Sequence, residues 1–136
     1  MYRVLLPVDD DVERSLAQAD YVASLPAEPD SIEVIVAHAY DDTVARRDPT
    51  GETLPEAESR AVSETMAALD DDGFAVSSEE LYSPVAEAIV ETATDIDADG
   101  IVVGGRKRSP SGKALFGSVT QAVILDAGRP VTVVIE

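Results

Sequence analysis

The 136-residue sequence has no cysteine, no tryptophan and a single histidine, His38. Without cysteine there is no disulfide framework and no zinc–thiolate centre. One histidine cannot build a His-rich metal cluster. Aromatic residues make up only 4% of the chain, so a core must be assembled from Val, Ile, Leu and Ala. No apolar run approaches the roughly 20 residues that cross a bilayer. The opening segment from Met1 to Pro7 leads straight into an apolar strand pattern, without the apolar run and cleavage site of a signal peptide. The expected compartment is the cytoplasm. The length is that of a single domain, expected to span 1–136.

Lysine is almost absent as well, occurring only as Lys107 and Lys113, whereas Asp and Glu together number 27. The net charge is -17. Such a surface repels nucleic acid and anionic membrane, so neither is an expected partner. An Asp-heavy, Lys-poor surface suits a salt-rich cytoplasm, where counterions screen self-repulsion. A halophilic source is therefore expected, with an ordinary acidic protein as the alternative.

Apolar patterning divides the chain into alternating elements. A continuous run, Val4 to Val8, reads as a strand buried on both faces and ends at Asp9-Asp10-Asp11. Asp11 can cap a helix whose apolar stripe is Val12, Leu16, Ala19 and Ala23, ended by Pro26 and Pro29. Ile32 to Ala39 is a second strand, followed by a polar surface loop, Asp41 to Leu54. A helix from Pro55 to Leu69 carries Val62, Met66 and Leu69 and stops at Gly73. Ala75 to Tyr82 is a more polar strand near an edge. Ser83 and Pro84 look like the cap and first residue of a third helix bearing Val85, Ile89 and Ala93. A strand from Gly100 to Gly104, a helix from Ser118 to Ala127 and a strand from Pro130 to Ile135 complete the order. Strict β-α alternation predicts an α/β fold, a doubly wound five-stranded parallel sheet with helices on both faces. Ligands of such sheets bind outside the strand carboxyl ends, where strand order reverses.

The chemistry concentrates between Gly104 and Ser118. Four of the ten basic residues, Arg106, Lys107, Arg108 and Lys113, fall in eight positions, where even spreading would put about half a residue. No Asp or Glu occurs from Gly100 through Leu125. This is a positive island on an acidic body, and a bound anion accounts for it. Gly104 and Gly105 follow a buried strand at a sharp turn that can require positive φ. Gly117-Ser118 opens a helix whose free N–H groups and dipole favour phosphate, and the Ser118 hydroxyl can cap that helix or bond the phosphate. Arg106 and Arg108 can fork onto phosphate, with Lys107 and Lys113 as point charges. Gly112-Lys113 looks like part of a P-loop, but Ala114 stands where a magnesium-binding hydroxyl is needed. The Gly-x-Gly-x-x-Gly dinucleotide fingerprint is absent.

Together these residues resemble the universal stress protein family over nearly the whole chain. Leu6-Pro7-Val8-Asp9 is similar to its first strand, Ala37-His38-Ala39-Tyr40 to the end of its second, and Asp99 to Gly105 to the strand before its nucleotide loop. Phe116 to Val123 is similar to the start of its last helix and Arg129 to Val134 to its final strand. Nucleotide-binding members carry Gly, two residues, Gly, nine residues, then Gly and Ser or Thr. Here the positions are Gly104, Lys107, Gly117 and Ser118, with Lys107 in place of the middle glycine. The resemblance implies strand order 3-2-1-4-5, with Asp9 beside Gly104. It implies ATP or another adenine nucleotide, with or without Mg2+. Asp9 would lie near the adenosine, Ala39 would touch adenine, Val103 and Val119 would be walls, and Val8 is a further expected nucleotide-binding residue. Gly104, Lys107, Gly117 and Ser118 would hold ribose and phosphate. Lys107 leaves open a mono- or diphosphate ligand, or an empty cleft. For His38 a core or strand-end role is expected. The family's last strand commonly pairs subunits, so a homodimer through Pro130 to Ile135 is expected.

The implied function is a nucleotide-binding regulatory protein of the stress response. A nucleotide-free dimeric interaction protein and a slow ATPase are the alternatives. For the ATPase, no motif places a base. The charge pattern carries its own prediction: molar KCl raises the thermal unfolding midpoint, and full stability without salt would contradict a halophilic chain.

Overall fold

The computed structural model describes residues 1–39, 56–105 and 117–135. The expected loop from Asp41 to Leu54, and Arg106, Lys107, Arg108 and Lys113, lie outside the described residues. Five strands, β1 (Tyr2–Val8), β2 (Ile32–Ala39), β3 (Ala75–Leu81), β4 (Gly100–Gly105) and β5 (Val131–Ile135), form one sheet. Its order is β3-β2-β1-β4-β5, and every pairing is parallel. Four helices alternate with them: α1 (Val12–Ala23), α2 (Glu56–Asp71), α3 (Val85–Asp95) and α4 (Ser118–Asp126). A short 3-10 turn, Pro29–Ser31, leads into β2.

Strand side chains alternate between two apolar layers, which is why β1 reads as a continuous run. Val4, Leu6 and Val8 join Val34, Val36 and Val102 under α1 and α2, through Ala19, Val22 and Leu69. Leu5, Ile35, Ile101 and Val103 face α3 and α4, through Ile89, Ala93 and Val123. β3 lies at one edge and is largely exposed, as its polar sequence requires.

The buried face of α1 differs from the expected stripe. Ser15, Gln18, Ala19 and Val22 are buried, whereas Ala23 is exposed. The reason is that two polar side chains on this face find backbone partners. Ser15 Oγ donates to Asp11 O at 2.9 Å, and Gln18 bonds the sheet. Asp11 is the N-cap, accepting the Arg14 N–H at 3.0 Å. The helix ends at Ala23 rather than at a proline: the Ser24 N–H and hydroxyl both donate to the Tyr21 carbonyl. At α3 the expected cap is displaced by one residue. Pro84 has extended ψ of 133°, so it is the N-cap and not the first helical residue. Its carbonyl accepts the Ala88 N–H. At the end of α2, Gly73 adopts φ +94°, a conformation that a side chain would strain.

β1 pairs with β2 over seven positions, to Val8↔His38, but with β4 only at Val4↔Gly100 and Leu5↔Ile101. Strand parity explains the parting. Asp99 N–H donates to Arg3 O at 2.8 Å, so Arg3, Leu5 and Pro7 direct their backbone polar groups toward β4. Continuing the register would require the Pro7 N–H to donate to Val102 O, and proline has none. The Gln18 Nε2 group donates instead, to Pro7 O at 2.7 Å and to Val102 O at 3.1 Å. One amide thus satisfies two carbonyls of a ladder that cannot close, and the strands splay beyond it. Gln18→Leu keeps the volume but leaves both acceptors without this donor. Chemical denaturation should show a loss of about 1–3 kcal/mol, the usual cost of stranding buried polar groups. An unchanged midpoint would deny the amide this role.

Candidate functional site

The parting of β1 and β4 opens a cleft of about 420 Å³ at their carboxyl ends. Its polar side is Asp9, Asp10, Arg14 and Gln18, and its apolar side is Leu81, Val85, Ile89 and Val103. Gly117, Ser118, Val119 and Thr120 close it from the start of α4. Val8, Asp9, Val103, Gly104, Gly117, Ser118 and Val119 were expected site residues, and the fold brings all of them to this cleft. Ala39 ends β2 in register with Leu81, itself a cleft residue. Arg106, Lys107 and Arg108 fall outside the described residues.

Two expected roles change. Neither Gly104 nor Gly105 has positive φ; both continue β4, opposite Val134 and Ile135. Gly104 is needed for a close approach instead. A Cβ there would stand 2.6 Å from Arg14 Cδ, 2.7 Å from its Cγ and 2.9 Å from Gln18 Oε1. The side chains it admits belong to α1. Ser118 is also not the cap of α4. Gly117 occupies that position, and among the described residues no side chain caps the helix. The first-turn N–H groups of an α-helix have no intrahelical acceptor, and here Gly117 to Thr120, at the start of α4, line the cleft.

Asp9 is held in place from two sides. Its Oδ1 accepts the Asp11 N–H at 2.9 Å, and its Oδ2 accepts Arg14 Nη1 at 2.6 Å. Arg14 Nη2 also lies 3.4 Å from Asp11 Oδ2. His38, paired with Val8 and Glu80 across the sheet, is buried. Burial lowers its pKa below the usual imidazole value, against the opposing pull of Asp10, Asp9 and Glu80. It is a neutral strand-end residue at pH 7, not a cation for the cleft.

Arg14, Gln18 and the wall of Leu81, Val85 and Ile89 were not foreseen as site residues. One signal was present in the sequence: a proline inside a central strand demands a substitute donor. Gln18, one helical face position from Ser15 and Val22, supplies it.

Residues 1–134 match the model of the universal stress protein family. The chain belongs to the universal stress protein family. No curated protein sequence matches it. A universal stress protein from Archaeoglobus fulgidus is similar over 98% of both chains, at 27% identity and TM-score 0.73. A structure of the universal stress protein from the same organism in complex with dAMP shares the fold. It shows 21% identity and TM-score 0.68 over 98% of both chains. An Arabidopsis thaliana family member with AMP bound shares the fold at 10% identity and TM-score 0.69, covering 100% of this chain and 92% of that one. Among the described residues no helix is long and apolar enough to cross a membrane.

Proposed function

We propose that this chain is an adenine-nucleotide-binding regulatory protein of the stress response, and that its ligand occupies the cleft between β1 and β4. The observation that carries the proposal is the cleft itself. It sits where strand order reverses and joins an apolar wall to a helix N-terminus that no described side chain caps. Relatives of the same fold hold dAMP and AMP. In this reading Val8, Ala39 and Val103 flank the base, and Asp9 accepts from the adenosine. The ribose and phosphate lie between Gly104 and Gly117-Ser118, beside Val119. Arg106, Lys107 and Arg108 supply the cations that the acidic body otherwise lacks. Lys107, which replaces a family glycine, favours a mono- or diphosphate over a triphosphate. Mg2+ accompanies the longer phosphates. The chain acts in a salt-rich cytoplasm.

The second element of the proposal is a homodimer through β5. This strand is an open edge with half-buried Val131 to Val134 and exposed Ile135, which a second copy would cover. Nucleotide binding would then bias that interface.

Thermal unfolding in molar KCl with AMP, ADP or ATP, each with Mg2+, tests the ligand. At about 100 times Kd a ligand of the folded state adds about 2.7 kcal/mol, a rise of several degrees for a chain of this size. One nucleotide should produce that rise. No shift with any of the three would overturn the nucleotide reading and favour a nucleotide-free dimer.

A further inference from the structure

Arg14 stands where a helix tolerates a cation least. It is the third residue of α1, in the first turn, where the helix dipole favours Asp or Glu. A residue that breaks a local rule this way calls for a compensating interaction. The compensation is at the cleft. Arg14 Nη1 bonds Asp9 Oδ2 at 2.6 Å, and Nη2 approaches Asp11 Oδ2. Its side chain is only 20% exposed, against 50% for Asp9, so Arg14 is the more buried partner of the pair. The stem is seated directly over Gly104, in the space a Cβ would fill. Ion pairing at the head and packing along the stem fix a positive charge at one point in the cleft.

That point matters because Asp9 and Asp10 both line the cleft that Gly117 and Ser118 line. Two carboxylates facing the same space repel a phosphate. A unit charge at such separations, in a half-exposed site, changes anion affinity by about five- to tenfold.

We infer that Arg14 is a positioning residue that sets the charge of the nucleotide cleft: by pairing with Asp9 it lets this acidic site accept a phosphorylated ligand instead of a neutral nucleoside alone. Arg14 acts through Asp9 and not by touching phosphate. The inference rests on the nucleotide reading of the cleft.

The test compares the affinities of AMP and adenosine, because a purely structural defect would lower both alike. In Arg14→Met the stem over Gly104 is kept and the charge is lost. AMP should weaken about five- to tenfold more than adenosine does. Arg14→Lys should keep the wild-type ratio of the two affinities. Asp9→Asn combined with Arg14→Met should bring the ratio back. Asp9→Asn alone, which leaves the stem packing untouched, should shift the ratio toward AMP, and it decides the matter if Arg14→Met does not fold. Equal losses of both ligands in Arg14→Met, a double variant still selectively weak for AMP, or an unchanged ratio in Asp9→Asn would each overturn the inference. A wild-type chain that binds neither ligand would overturn the nucleotide reading and the inference with it. Wild-type binding of both ligands, with the ratio unchanged in both Arg14→Met and Asp9→Asn, would overturn the inference alone.

Discussion

A missing hydrogen-bond donor shapes this molecule. Pro7 faces β4 where the parallel ladder would need its N–H, and the ladder stops after Leu5↔Ile101. Gln18 reaches across from α1 and satisfies Pro7 O and Val102 O with one amide group. Because the amide is buried, its two bonds are made without competition from water. Beyond it β1 stays with β2 while β4 continues with β5. The opening between them is the cleft. Gly104 follows from the same constraint, since Gln18 and Arg14 pass over the position its Cβ would take. The proline, the glutamine, the glycine and the arginine form one solution to parting two strands without stranding their carbonyls.

Scarce positive charge is the second organising feature. On a chain of net charge -17, Arg3, Arg14 and Arg129 are committed to the described fold. Arg3 bonds Glu33 at 2.7 Å and the Ile96 carbonyl. Arg129 donates to Ala93 O, Ala98 O and Ala127 O, closing the ends of α3 and α4, whose last turns carry no basic residue. A cation at a helix C-terminus interacts favourably with the dipole, and here one side chain serves two helices. The remaining cations gather between Arg106 and Lys113, apart from Arg46, Arg47 and Arg60.

The fold was legible in the sequence because its signals were local. Val4 to Val8 announced a buried parallel strand by a continuous apolar run, and Ile32 to Ala39 and Gly100 to Gly104 read as strands alternating with helices. Gly73 marked the end of α2 and adopts positive φ. Strand order could not be read from periodicity, which carries no information about neighbours, and rested on the family resemblance. Within the site, Asp9, Val103, Gly104 and Gly117-Ser118 were legible from the turn chemistry and that resemblance. Arg14 and Gln18 were not, because their roles depend on which strand β1 leaves. A buried glutamine on a helix stripe looks like an error of patterning until Pro7 is placed opposite Val102. Gly104 was found for the wrong reason: its backbone is ordinary strand, and the demand on it is steric.

We propose that a nucleotide lies in the opening between β1 and β4. Backbone amide chemical shifts followed during titration with AMP test it most directly. The claim predicts that the shifts concentrate at Val8, Asp9, Gly104, Gly105 and Ser118 to Thr120, with the Gln18 side-chain amide moving alongside. Tyr2 and Gly100, at the opposite ends of the same strands, stay still. Shifts centred on Tyr2 and Gly100, or confined to β5, would contradict it.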